Sequence, residues 1–272
     1  TLLVLIAKGD HPRTFKDFLP ISLCNMVYKL VSKVLVNRLR PFLMRIVSHF
    51  QSSFIPRRGT MDNAIILQEI VHTLSKSKKK KGDVVFKLDL EKAYDRVDWR
   101  FLQEVLENFG LVNLILSGVM SAKLSLLWNG ECLKGFRPKR GLPQGDPLSP
   151  YLFVLCMERL SHIIQEQVSI EVWTPLKLGP DGPPLSHLFF ADDVLLFSKA
   201  KPSHVRMVIE SLQRFYNASG VKVNLTKSRM MASKGVSRSR KNSLTQITNI
   251  TFTNDLGKYL GFQMLCGRVT TR

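Results

Sequence analysis

The sequence predicts an α+β protein, and three observations carry that prediction. Apolar runs of strand-like composition (Leu2–Ile6, Val84–Leu90, Leu188–Phe197) alternate irregularly with segments whose apolar residues recur at helical spacing. No βαβ regularity and no internal repeat orders them, which favours mixed strands and helices over a doubly wound sheet. The third observation is the acid pair Asp192-Asp193, set between the apolar runs Leu188–Ala191 and Val194–Phe197. A polar pair in that setting reads as the tip of a hairpin.

Composition narrows the partners. The chain has 272 residues, enough for one large domain or two small ones. Its hydrophobic content of 44% and charged content of 22% are ordinary for a globular protein. The charge balance is not: Lys+Arg 40 against Asp+Glu 21 gives +19. Such an excess favours a polyanion, either nucleic acid or an anionic membrane surface. Most of the charge is spread through apolar-patterned sequence, which suits a folded groove better than a basic tail. The run Lys76–Lys81 reads as a solvated loop ahead of a phosphate clamp or a localisation signal. Cys24, Cys132, Cys156 and Cys266 form no CxxC pair, so zinc-ligand spacing is absent and a disulfide framework is not expected. An intracellular, reducing compartment fits best. No apolar run approaches ~20 residues, so no membrane span is expected. The opening Thr-Leu-Leu-Val-Leu-Ile lacks a basic n-region, and the chain reads as a piece of a longer polypeptide.

Taken in order, Leu2–Ile6 reads as a strand and His11–Leu19 as a loop punctuated by Pro12 and Pro20. Ile21 onward carries Val27, Leu30, Val31, Val34, Leu35 and Leu39 at helical spacing, with Lys29, Lys33, Arg38 and Arg40 between them. That pattern predicts a basic amphipathic helix ending before Pro41, then a short second helix over 42–49. Gln51–Gly59 is a polar connection, and Thr60–Asn63 caps a helix continuing from Ala64 to Leu74. Val84–Leu90 is a strand with Asp89 near its end, and Arg100–Phe109 a helix closed by Gly110. Residues 111–122 form another apolar helix-like segment. Asn129-Gly130 between two short apolar runs is a strong hairpin signal. Arg140–Pro150 is a structured loop leading into a helix from Tyr151 to about Gln167. Pro202–Ser219 is a helix stopped by Gly220, residues 234–248 are a polar, basic and flexible stretch, and Lys258–Met264 is a final strand pair.

The chemistry converges on acids. Asp89, Asp192 and Asp193 each stand at a strand end or turn, and carboxylates held close together repel unless a cation joins them. Three acids from two neighbouring strands can form an oxygen cage for two magnesium ions and support in-line phosphoryl displacement. The plainer alternative is a hydrophilic β-turn, since Asp is a common turn residue. A surface at +19 explains how an acidic centre would attract a polyanion.

At this point the motifs carry a resemblance. Phe190-Ala191-Asp192-Asp193 resembles the signature of reverse transcriptases, in the form found in non-LTR (LINE-type) retrotransposons, with plant versions nearest in spelling. Lys87-Leu-Asp89-Leu-Glu-Lys-Ala-Tyr94-Asp95 resembles their first carboxylate motif. Gly141-Leu-Pro-Gln144-Gly145-Asp-Pro-Leu-Ser-Pro150 resembles the next. Pro20–Asn25 with Tyr28-Lys29, and Arg58-Gly59-Thr60 with Asp62-Asn63, resemble the upstream fingers motifs. Gly220–Asn224 with Lys227-Ser228, and Tyr259-Leu260-Gly261-Phe262, resemble the two motifs after the acid pair. The order agrees from about residue 5 to the end.

The resemblance implies a right-hand polymerase fold with the thumb largely missing, with fingers from about 1–80 and 111–140 and palm from about 81–110 and 141–272. It implies an RNA-directed DNA polymerase that adds dNTPs to a primer 3′-OH on an RNA template, within a retrotransposon polyprotein that carries other domains and acts in the nucleus. Asp89, Asp192 and Asp193, with the Leu90 carbonyl, would hold two Mg²⁺, with Mn²⁺ as a substitute. Tyr94 would exclude a sugar 2′-OH, while its alternative is simple packing behind Asp89. Gln144, Gly145 and Lys29 would line the nucleotide site. Lys227 would neutralise or protonate pyrophosphate, or else be an ordinary surface lysine. Tyr259, Leu260, Gly261 and Phe262 would form the primer grip, with a plain core strand as the alternative.

One position departs from the pattern: the family's Arg before Pro-Ile-Ser is Leu19 here, and Leu cannot donate to a phosphate unless Lys8, Arg13 or Lys29 compensates. Asn113–Lys123 also lacks the aromatic residues that the resemblance leads one to expect. The alternatives are a catalytically inactive nucleic-acid-binding remnant of a decayed element, an RNA-dependent RNA polymerase, or a group II intron maturase. Tyr94 and the acid-pair form argue against the second, and the motif spellings against the third.

Overall fold

A computed structural model describes residues 1–110, 115, 116, 118, 119, 122–179 and 181–264. The helix-like expectation over 111–122 and the missing aromatics of 113–123 fall mostly outside them. In chain order, the strand β1 (Leu2–Ala7) pairs antiparallel with β2 (Phe18–Leu23). Here the structure corrects the sequence reading, which has loop to Leu19 and helix from Ile21. Pro20 lies within β2, opposite Leu5. It is tolerated because β2 is the edge of its sheet, where the missing N–H breaks no ladder.

The helix α1 (Met26–Ile46) starts at Asn25, whose side chain accepts the Tyr28 N–H at 2.7 Å. It runs through Pro41 where a break is expected. Ser32, Val36, Leu39 and Leu43 are its buried residues, and their spacing continues across the proline, which lies on the exposed side. Packing on both sides of Pro41 therefore outweighs the lost backbone bond.

The helix α2 (Thr60–Lys76) follows, with the Asp62 carboxylate accepting the Gly59 N–H at 3.1 Å. Next come β3 (Asp83–Leu88), β4 (Leu90–Glu91), the single turn α3 (Ala93–Arg96) and α4 (Trp99–Asn108), which Asp98 caps by accepting the N–H groups of Arg100 and Phe101. β5 (Ser125–Trp128) and β6 (Glu131–Cys132) are joined by Asn129-Gly130, both at positive φ as a two-residue hairpin requires. The helix α5 (Ser149–Ser169) is followed by β7 (Leu176–Lys177), β8 (Pro184–Leu185), β9 (His187–Phe190) and β10 (Asp193–Lys199). The remainder is α6 (Pro202–Ser219), β11 (Lys222–Val223), β12 (Arg229–Ala232), α7 (Arg238–Thr248), β13 (Thr251–Phe252), β14 (Lys258–Tyr259) and β15 (Phe262–Gln263). α7 occupies the stretch expected to be flexible. Ser237 caps it, and Leu244 and Thr248 bury one narrow face, too short a stripe for an amphipathic signal.

The chain forms two compact units. The first comprises 1–47, 92–156 and 218–220, and the second 48–91, 157–217 and 221–272. The first contains a four-stranded sheet in the order β2-β1-β5-β6. The second contains a five-stranded sheet in the order β13-β12-β3-β10-β9. β3 pairs antiparallel with both β10 and β12, so the Asp89 strand runs through its middle. Beneath that sheet lie Leu67, Ile70, Val71 and Leu74 of α2, packed with Val85, Leu195, Phe197 and Met231. Burial on both faces makes the central strands read as continuous apolar runs.

Candidate active site

β3 and β10 bring the acids together. Their register pairs Leu88 with Val194, and one step further along it sets Asp89 across from Asp193. β9 and β10 pair Phe190 with Asp193, which leaves Ala191 and Asp192 as the two turn residues. The sequence reading put both aspartates in the turn, but Asp193 is the first residue of β10. Ala191 holds φ +53°, a left-handed conformation that a side chain disfavours. Asp192 and Asp193 are exposed and Asp89 is half-buried. Desolvation raises the Asp193 pKa, the negative charges of Asp192 and Asp89 raise it further, and Lys87 opposes them.

The strained turn is held from behind. Phe50 O accepts the Phe189 N–H at 2.7 Å, and Phe189 O accepts the Ser52 N–H at 3.0 Å, so residues 50–52 run alongside β9. Between these bonds Gln51, fully buried, accepts the Ala191 N–H at 3.2 Å and the Ser53 N–H at 2.9 Å through its Oε1. Asn63 of α2 donates to Phe189 O at 3.1 Å and accepts from the Ser52 hydroxyl at 2.9 Å. Two buried amide side chains thus fix the backbone that carries Asp192.

Asp89 is clamped from the opposite direction. β11 pairs Val223 with Leu90, and the Asn224 N–H donates to Asp89 O at 2.7 Å. The Ser228 hydroxyl accepts the Asp89 N–H at 3.1 Å and donates to Asn224 O at 2.7 Å. Asn224 Oδ1 closes the intervening loop by accepting from Thr226 Oγ1 at 2.8 Å and Lys227 N–H at 3.3 Å. Lys227 itself is exposed.

Lys87 shares the Asp89 face of β3, two residues away. Its Nζ donates to Leu256 O at 2.9 Å and Lys258 O at 2.5 Å, tying β14 to the acid-bearing strand. Burial lowers the Lys87 pKa, and Asp193 and Asp255 oppose that shift. β14 and β15 enclose Leu260 and Gly261, both at positive φ. Tyr259 is buried, and burial raises its pKa, with a further push from Asp193.

Tyr94, Gln144, Gly145, Lys29 and Leu19 lie in the first unit. Tyr94 stacks on Phe153, with centroids 4.5 Å apart and planes 18° apart. Gln144 donates to Asp95 Oδ1 at 3.2 Å, and its carbonyl accepts the Ser22 N–H at 2.7 Å. Desolvation raises the Asp95 pKa, which Lys92 and Gln144 oppose. Gly145 holds φ +106°, and a Cβ there would stand 2.8 Å from Ser22 O, so backbone packing alone demands glycine. Asp95, Gln144, Ser22, Pro20 and Trp99 line a hollow of about 170 Å³. Leu19 is exposed on β2, and Lys29 is half-buried on α1.

Among the described residues, no three Asp, Glu, His or Cys side chains stand close enough as placed to enclose an ion. The donor chemistry nonetheless fits magnesium. Asp89, Asp192 and Asp193 are hard oxygen donors at one sheet end, and desolvation, with the charges of Asp192 and Asp89 added to it, raises the Asp193 pKa against the pull of Lys87. Sequence reasoning missed Gln51, the Ser228 clamp and Lys87. A lysine within an apolar strand was the legible signal for Lys87. Gln51 lay in a donor-rich connection whose partner is 140 residues away.

Comparison with known proteins adds kinship to this geometry. The profile of the family described as reverse transcriptase (RNA-dependent DNA polymerase) matches residues 6–264. The chain belongs to that family. It is 26% identical over 236 residues to the retrovirus-related Pol polyprotein of the type-2 retrotransposable element R2DM of Drosophila melanogaster, covering 85% of this chain and 21% of that protein. It is 28% identical over 231 residues to an uncharacterised 149 kDa protein of transposon TX1 from Xenopus laevis, covering 84% and 17%. The chain therefore spans about a fifth of the length of these relatives. These kinships bear out the reading as a reverse transcriptase of non-LTR type. The structure also superposes on a telomerase of Candida tropicalis, solved with a fragment of telomeric RNA, with a TM-score of 0.55, 15% identity, and coverage of 88% of this chain and 36% of that one. That likeness concerns the fold alone, and with it the expected α+β polymerase fold stands.

Proposed function

We propose that this domain performs RNA-templated DNA synthesis, adding dNTPs to a primer 3′-OH within a larger retrotransposon polyprotein that works in the nucleus. One observation carries the reading: the β3–β10 register, which sets Asp89 across from Asp193 beside the Asp192 turn. Asp89, Asp192, Asp193 and the Leu90 carbonyl would hold two Mg²⁺, or Mn²⁺. Such ions, when bound, lower the pKa of the attacking hydroxyl and neutralise charge on the leaving oxygens.

The chain's own groups do the rest. Ser228 and Asn224 keep the Asp89 backbone in place, and Gln51 and Asn63 do the same for the turn. A fixed carboxylate loses little entropy on meeting its ligand. Tyr94, stiffened by Phe153, is the wall against a 2′-OH, which selects dNTPs over rNTPs. Gln144, Gly145 and Lys29 bound the nucleotide site, and Lys227, exposed on its loop, reaches the pyrophosphate. Tyr259–Phe262 steady the primer end, with Lys87 tying that hairpin to β3. In this reading the fingers are about 1–80 and 111–140 and the palm about 81–110 and 141–272.

Primer extension on an RNA template with Mg²⁺ or Mn²⁺ tests the reading. The protein should incorporate dNTPs in preference to rNTPs, and Asp192→Asn should abolish extension. Extension that survives Asp192→Asn removes the metal assignment. Leu19 favours a second reading, a decayed remnant that binds nucleic acid without extending it, because a neutral side chain stands where a phosphate donor is expected. That reading predicts salt-sensitive binding, no extension, and no rescue by Leu19→Arg. Extension that Leu19→Arg strengthens rules it out.

A further inference from the structure

The end of the central sheet opposite the acids gathers two basic segments from distant parts of the chain. The first is Lys76, at the end of α2, with Lys78, Lys79, Lys80 and Lys81, between α2 and β3. The second is Lys234, Arg238, Arg240 and Lys241, between β12 and the first turn of α7. Neither segment contains an Asp or Glu. The nearest acid in sequence, Asp83, is already paired with Lys199 at 2.6 Å.

The two segments are built against each other. The Lys234 N–H donates to Leu74 O at 3.0 Å and the Gly235 N–H to Ser77 O at 2.9 Å. The Arg240 guanidinium donates to Lys80 O at 3.1 Å. Ser233 bonds Asp83 on both sides, its Oγ accepting the Asp83 N–H at 2.9 Å and its N–H donating to Asp83 O at 2.9 Å. Glycine makes the approach possible. A Cβ on Gly235 would lie 2.3 Å from the Lys78 carbonyl carbon, and one on Gly82 would lie 2.5 Å from the Ser233 Cβ. A solvated lysine loop needs no such docking, and like charges brought together raise the energy of the fold. Beside the junction, Ser75, Lys234, Lys241 and Asn254 border a hollow of about 220 Å³ floored by Met231 and Ala232. That hollow is large enough for a phosphate group.

From these contacts we infer that this basic end of the sheet is a second nucleic-acid-binding surface, which grips the phosphate backbone of a strand held outside the catalytic site. It lies a full strand length from the carboxylates, about 20 Å along β3 from Asp89 to Asp83. Its recognition is sequence-independent, because it offers ammonium and guanidinium groups to phosphates and no platform for reading bases. RNA and DNA backbones share this chemistry.

The test uses the full chain with Lys78, Lys79, Lys81, Lys234 and Arg238 changed together to Gln, all of them exposed side chains. A control loses Arg100, Lys134, Arg137, Lys139 and Arg206, also exposed, for the same change in net charge. Binding is measured against salt for end-blocked duplex DNA, for a folded RNA and for phosphatidylserine vesicles, none of which can be extended, so the result is independent of polymerase activity. The first variant should bind roughly ten-fold or more weakly. Its log–log salt slope should shrink by about 0.9 for each lost duplex contact, or about 0.7 for each single-strand contact. The nucleic acid showing the larger loss identifies the partner. Circular dichroism matching the parent, with a cooperative thermal melt no lower than the parent's, excludes misfolding as the cause. An unchanged slope overturns the proposal. So does an equal loss in the control, or a loss confined to phosphatidylserine vesicles.

Discussion

Ser228 shows how one small residue can hold in place the backbone of an acid proposed to bind metal. Its hydroxyl serves Asp89 as acceptor and Asn224 as donor, so Ala at that position leaves the half-buried Asp89 N–H without its acceptor, while Asn224 O keeps the Ser228 N–H at 3.0 Å. An unsatisfied buried group costs about 1–3 kcal/mol. Ser228→Ala should therefore lower stability by roughly that amount and lower kcat more than it raises the KM for dNTP. Ser228→Thr, which keeps the hydroxyl, should restore most of kcat. Equal kcat in Ser228→Ala and the parent would remove the clamp from the mechanism. Residue types at this scale were legible, and Asp89, Asp192 and Asp193 were singled out because adjacent acids between apolar runs demand a reason. Ser228 and Lys87 stood in the motifs without a role and Gln51 outside them, because a serine, an amide or a lysine acquires its role only from a neighbour more than a hundred residues away.

At the scale of elements, segments with one dominant local signal read correctly, and segments where tertiary packing overrides that signal did not. Asn129-Gly130 fixes its hairpin, and Pro202 and Gly220 bracket α6, because each residue restricts its own backbone. Pro20 and Pro41 misled for the same reason. One sits on an edge strand, and the other lies on the outer side of a helix whose buried stripe continues past it. That second case is measurable. Pro41→Ala restores an N–H that can donate to the Asn37 carbonyl and removes the ring's clash one turn back. The interior-helix penalty of about 3 kcal/mol is partly offset by the greater freedom of the unfolded chain, about 0.4–1 kcal/mol. A net gain of about 2–2.6 kcal/mol, read as a midpoint rise of about 4–10 °C, is expected. A variant no more stable than the parent would mean that Pro41 itself serves the packing of Val36, Leu39 and Leu43.

Across the whole molecule the governing quantity is charge. With 40 cations against 21 anions, the folded chain repels itself, and folding concentrates the lysine run and the first turn of α7 at one sheet end. Unfolding spreads those charges apart, so screening stabilises the compact state more than the open one. The Debye length falls from about 30 Å at 0.01 M to about 10 Å at 0.1 M, which spans the width of such a cluster. NaCl over that range should therefore raise the unfolding midpoint, while the same salt weakens binding to RNA or DNA through counterion release. The two trends oppose each other, which separates them from any general effect of salt on the protein. The variant lacking Lys78, Lys79, Lys81, Lys234 and Arg238 should start from a higher midpoint at low salt and gain less from added salt. A polyanion such as heparin should act as a ligand of the native state and raise the parent's midpoint in proportion to its occupancy, but the variant's less. If the parent's midpoint is flat or falling with NaCl, the cluster is not a source of repulsion. The docked lysine run would then have to be explained by packing at Gly82 and Gly235 alone.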